Sequence, residues 1–183
     1  MVAVSPAWHD HFMTGAADEM DDERRALRHY LQYQRDSVLS IISDLDEEAW
    51  HRPVVPSGWT PAGLVEHLGN MERHWFQWVL AGSADPLPWD EGRPPYDPHA
   101  PFTCDRPSAD ILAYYREQCR RSDAVLAQLP LSAPPRQRHG DPENEPPSVR
   151  WVVLHVIEET ASHSGHLDIA RELLDGRTDL GLR

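Results

Sequence analysis

The chain has 183 residues, 40% hydrophobic and 26% charged, the proportions of one globular domain (1–183) with a substantial core. Its formal net charge of -13 argues against nucleic acid and against anionic membrane surfaces as partners, because both need a basic face. No apolar run is long enough to span a membrane, and Met1 to His11 lacks the basic start and apolar run of a signal peptide, so a cytoplasmic location is expected.

Four helical segments are predicted, and no strand. The first runs over about 22–44, where Leu27, Leu31, Val38, Ile41 and Ile42 keep the helical period. An acidic turn, 46–50, and a loop rich in Pro and Gly, 52–59, follow it. Thr60-Pro61 opens the second helix, 61–81, with a cap residue followed by Pro at the first helical position. Its inner stripe is Leu64, His67, Leu68, Met71, Trp75, Trp78 and Val79. Residues 83–107 form a long loop whose Trp89, Tyr96 and Phe102 favour packing over something, so it is a candidate cover.

Ser108 is the expected cap of the third helix, 109–129, with Leu112, Tyr115, Cys119, Ser122, Leu126 and Leu129 as its inner stripe. Ser148 is the expected cap of the fourth, 149–175, which Gly176 ends. Its stripe runs through Val149, Val153, Val156, Thr160, His163, Leu167, Ala170 and Leu174. Four helices with long connections make an all-α four-helix bundle. Cys104 and Cys119 form neither a CxxC pair nor a disulfide framework, and read as reduced thiols.

His67 and His163 occupy core slots on two different helices, and Glu159 lies one turn from His163. Buried polar groups need partners. Two imidazoles and a carboxylate suit a divalent cation, and three protein ligands leave a position open for chemistry. The same residues also suit a plain Glu159–His163 hydrogen bond beside a satisfied core histidine. His155 and His166 lie near the same face, so spacing does not make the set unique; His166 reads better as a pocket group or a partner of a ligand. The remaining histidines read as solvated or loop residues. Trp59, Trp75 and Trp78 crowd His67, as core packing or as an apolar pocket wall. Arg52 and Arg73 suit a substrate carboxylate or the solvated surface.

The stretch Arg52-Pro53-Val54-Val55-Pro56-Ser57-Gly58-Trp59-Thr60-Pro61-Ala62-Gly63-Leu64-Val65-Glu66-His67-Leu68 closely resembles the DinB-like superfamily, and within it the mycothiol-dependent branch of mini-mycothiol transferases. The run from His155 to Asp168 carries the second match, and the resemblance spans about 27–174. It implies a four-helix bundle with a divalent metal, usually zinc or nickel, held by a His on the second helix and an H-x-x-x-H pair on the fourth. His67 and His163 match two of these positions. Glu159 stands in the third, a departure that resembles the mycothiol-dependent maleylpyruvate isomerases, although their extra C-terminal domain, and with it their particular reaction, is not expected here. The implied activity is metal-dependent S-transfer from a thiol such as mycothiol to a small electrophile, a detoxification chemistry, with Arg52 and Trp59 as candidate cofactor contacts. Mycothiol belongs to high-GC Gram-positive bacteria, and a chain whose 17 basic residues are all arginine agrees with such a source. A metal-dependent hydrolase and a non-catalytic, stress-related metal-binding bundle are the alternatives. Many relatives pair as homodimers, although no decisive stripe for pairing stands out here.

Overall fold

The computed structural model describes residues 6–85, 100–139 and 145–178, with side chains from residue 21 onward. The expected Trp89 and Tyr96 of the cover loop lie outside the described residues. The elements are α1 (Pro6–Ile41), a short α2 (Glu47–Trp50), α3 (Pro61–Glu72) continued by a π-helical segment (Arg73–Leu80), α4 (Ser108–Leu126) and α5 (Val149–Asp175). No strand occurs among the described residues. The four long helices form the bundle, with α1 against α5, α3 against α4, and α3 also touching α5. None of the described helices is long and apolar enough to cross a membrane.

The caps act as their residue types dictate. Thr60 Oγ1 accepts the Gly63 N–H at 3.1 Å, and Ser148 Oγ accepts the Trp151 N–H at 3.3 Å. Gly176 ends α5 at φ +78, a left-handed conformation that costs glycine nothing. Two arginines cap helix C-termini from neighbouring helices. Arg24 donates to the Leu126 and Leu129 carbonyls at the end of α4, and Arg171 to the Ile41 and Ser43 carbonyls at the end of α1.

Four expectations need correction. The first helix starts at Pro6, well before residue 22, and stops at Ile41, where the chain turns through Asp44 at φ +59. The acidic turn is a helical turn, α2, capped by Asp46. Ser108 is the first residue of α4, not its cap, and its backbone N–H and hydroxyl donate to Glu47. Finally, the second bundle helix is α-helical only to Glu72. Its π-helical continuation adds residues per turn, so the inner face drifts off the 3.6 period. Phe76, Gln77 and Leu80 therefore turn inward beside Trp75 and Val79, and Trp78 is left 43% exposed. Outside partners stabilise the wide turn: the Arg136 and Gln137 N–H groups both donate to the Val79 carbonyl at 3.0 Å, and Gln77 donates to Gln118 at 2.7 Å.

The core has two apolar halves. One gathers Leu31, Phe76, Leu126 and Val153; the other Val38, Leu64, Ile111 and Leu167. Between them runs a polar layer of Arg35 on α1, Glu72 at the end of α3, Ser122 on α4 and Thr160 on α5, all buried. Arg35 Nε and Nη2 meet the two Glu72 oxygens at 2.8 Å each, and Nη1 meets Asp123 at 2.8 Å. Burial works against the Arg35 charge, but the Glu72 carboxylate outweighs it, so the guanidinium pKa lies above its ordinary value.

Arg35→Met leaves the Glu72 carboxylate buried without its bidentate partner. Urea unfolding should show a loss of about 3–5 kcal/mol. The double variant Arg35→Met/Glu72→Leu should recover much of that loss.

Candidate metal centre

α3 and α5 carry the three residues singled out by the sequence, and helix packing brings them together. Ligand atoms of His67, Glu159 and His163 all lie within 4.8 Å of one another. His163 Nε2 stands 3.4 Å from Glu159 Oε2, and the His67 and His163 ring centroids are 5.0 Å apart at 81°. Two ligand atoms bound near 2.1 Å in a tetrahedral site are separated by about 3.4 Å. The His163–Glu159 separation therefore already matches one edge of such a site. The donor set of two imidazole nitrogens and one carboxylate oxygen is one that zinc and its first-row neighbours accept. A three-residue set leaves at least one coordination position for a non-protein ligand.

A strap of chain, 100–107, covers His67. Phe102 stacks on the His67 ring at 4.1 Å and 17°. The Thr60 N–H donates to the Phe102 carbonyl at 3.0 Å. Gly63 permits this approach, since a Cβ there would sit 2.1 Å from the same carbonyl oxygen. His51 spans the Glu47 and Arg106 carbonyls with its two ring nitrogens, and Arg106 pairs with Glu66 at 3.1 Å. The fastening explains why His51, expected as a solvated or loop residue, lies in a turn and is half-buried.

The protonation states follow from this packing. Burial, helped by the neighbouring His163, pushes the His67 pKa down to about 4, while the Glu159 charge pulls against it. His67 is thus neutral at physiological pH, the form that ligates. A hydrogen bond from His163 holds the Glu159 carboxyl below its ordinary value, and burial opposes it more weakly.

The weaker candidates fall around this centre. His166 is exposed, with its Nδ1 3.4 Å from His163 Nδ1. A His163 that ligates through Nε2 carries its proton on Nδ1 and points it at His166, the outer anchor that ligating imidazoles want. Trp59 reaches the same edge, 6.3 Å from the His166 ring. Arg52 lies elsewhere, donating to the Leu174 carbonyl at 3.3 Å and 3.6 Å from Glu48. Arg73 donates to the Asp85 carbonyl at 2.7 Å. His155, Glu158 and Glu159 form a second group with ligand atoms within 4.8 Å. Two features carry no sequence signal: the clearance that Gly63 gives the strap, and the contact between His74 and His139, positions that read as solvated or loop residues. The two histidines are part-buried, with His74 Nε2 3.0 Å from His139 Nδ1. Nothing in a one-dimensional pattern announces either contact.

The family model of mycothiol-S-transferases matches residues 26–176. A crystal structure of a conserved protein from Enterococcus faecalis has the same fold, with a TM-score of 0.64 at 15% identity over 84% of this chain and 97% of that one. A search of the curated proteins returns no significant match.

The unfolded chain takes up a proton at each histidine near pH 6.5, whereas folded His67 and His74 resist protonation down to about 4. Stability of the metal-free protein should therefore be full above pH 6.5 and fall as the pH drops from there through 4. Denaturant midpoints measured across this window should show the fall, and His67→Gln should flatten it in part.

Proposed function

From the premise that this chain belongs to the mycothiol-S-transferase family, we propose that it is a metal-dependent thiol S-transferase. Its divalent cation, zinc or nickel, is held by His67, Glu159 and His163. The observation that carries this reading is the meeting of two imidazoles and one carboxylate from α3 and α5 at ligand spacing. A bound divalent cation with an open position deprotonates a coordinating thiol outright, where a free thiol titrates near 8.5.

The residues of the chain supply the rest. His67 offers a neutral lone pair, because burial keeps it unprotonated. Glu159 contributes one negative charge, so the site keeps a net positive charge that favours an anionic sulfur. His166 fixes the His163 ring through Nδ1. Phe102 shields the apolar face of His67 from water and holds its ring plane. In the reaction the thiol S–H bond breaks and its proton passes to solvent. A C–S bond then forms at the electrophilic carbon, and the leaving group departs with its bonding electrons. Mycothiol is the thiol implied by the family.

His163→Ala should lose both the bound metal and the thiol transfer. The rate loss should exceed the roughly 10–100-fold typical of an outer-partner change. Elemental analysis of tag-free protein and a mycothiol-consumption assay check the two arms. Full activity in this variant overturns the reading, and turnover independent of thiol moves it to hydrolysis by activated water.

A further inference from the structure

We propose that Glu159 serves two divalent cations, the one shared with His67 and His163 and a second held with His155 and Glu158. The proposal rests on the ligand reading above for the first cation only. His155, Glu159 and His163 follow one another at intervals of four residues on α5, so all three share a face. The Glu159 carboxylate therefore has an imidazole on each side. One of its oxygens faces His163 Nε2 at 3.4 Å. Ligand atoms of His155, Glu158 and Glu159 also lie within 4.8 Å of one another. A carboxylate has two oxygens with room for a ligand bond at each, so one residue suffices for both groups.

The second group is built into its surroundings on the histidine side. Trp151 stacks on the His155 ring at 5.1 Å and 15°, and Trp75 meets it nearly perpendicular at 4.6 Å and 69°. These two rings restrict the imidazole. Trp75 is 3% exposed, and its indole N–H has no hydrogen-bond partner. Glu158 is exposed and approaches from the solvent side. One imidazole with two carboxylates suits a first-row divalent ion such as Zn2+ or Mn2+. All three residues come from one helix, so this ion binds more weakly than the one clamped between α3 and α5.

Equilibrium dialysis of the full-length, tag-free protein against Zn2+, with elemental analysis, tests the proposal. The expected result is two ions per chain, one tight and one weaker. His155→Ala should remove only the weaker ion, and Glu158→Gln, a change at an exposed position that spares the fold, should weaken it roughly tenfold or more. His163→Ala should lose the tight ion and keep the weaker. A single ion per chain, or a second one indifferent to both His155→Ala and Glu158→Gln, overturns the proposal and leaves the first site standing. No bound ion at all overturns both.

Discussion

A charged guanidinium in the middle of an apolar bundle is the constraint around which the other parts are arranged. Arg35 is 2% exposed and Glu72 1%, so neither keeps its hydration. Desolvating two ions costs several kcal/mol each, and only close, bidentate geometry offsets that cost. The pair therefore fixes the relative height of α1 and α3, because a slip of either helix by one residue would separate the two groups. Asp123 extends the same demand to α4. An apolar layer of equal volume would hold the helices together as strongly, yet it would tolerate sliding. This polar layer confers register.

Register is what the candidate metal centre requires. His67 lies between Leu64 and Leu68, one turn and a half from Glu72 on the same helix. Once Glu72 is fixed by Arg35, the height of His67 is fixed too. α5 receives its height from other ties: Arg150 pairs with Glu23, and Arg171 donates to the end of α1. Both helices that carry the candidate ligands are thus indexed against α1, which carries none of the three. The strap adds the last restraint, since it packs on Gly63 and places Phe102 on the His67 ring. Arginine suits all of these ties better than lysine, because its planar fork makes two directed hydrogen bonds at once.

The sequence carried more of this than its weak local signals suggest. Periodicity and caps located the fourth helix to the residue, because Ser148 and Gly176 are unambiguous start and stop signals. His67 and His163 stood out because each interrupts an apolar stripe on a different helix, and Glu159 because it lies one turn from His163. Arg35 and Glu72 interrupt stripes in the same way without marking themselves as buried, since an isolated charge in a helical pattern is usually on the solvated face. The π-helical segment is not legible in the sequence: a stripe read at 3.6 residues per turn assigns Trp78 inward, and the contacts that hold the wider turn come from Gln118, Arg136 and Gln137, far along the chain. The aromatic content of the loop 83–107 points to a cover, and of its three aromatics Phe102 lies over His67, while Trp89 and Tyr96 fall outside the described residues. The docking of the strap is not legible, because a glycine that clears a backbone looks the same in sequence as one that merely bends it.

Exposure across the centre is graded, and the grading bears on how a small molecule reaches it. Phe102 lies flat on His67 and meets His163 edge-on at 5.9 Å, closing the side toward α3. His163 keeps 15% of its side chain exposed and Glu159 30%, so among the described residues the accessible edge is the one along α5. Of these two candidate ligands, the carboxylate is therefore both the more exposed and the charged one. A histidine in its place would present a neutral edge to solvent and leave the site one charge more positive. With Glu159 there, the negative charge of the group sits at its solvent edge, where water stabilises it, while the His67 ring stays covered by Phe102.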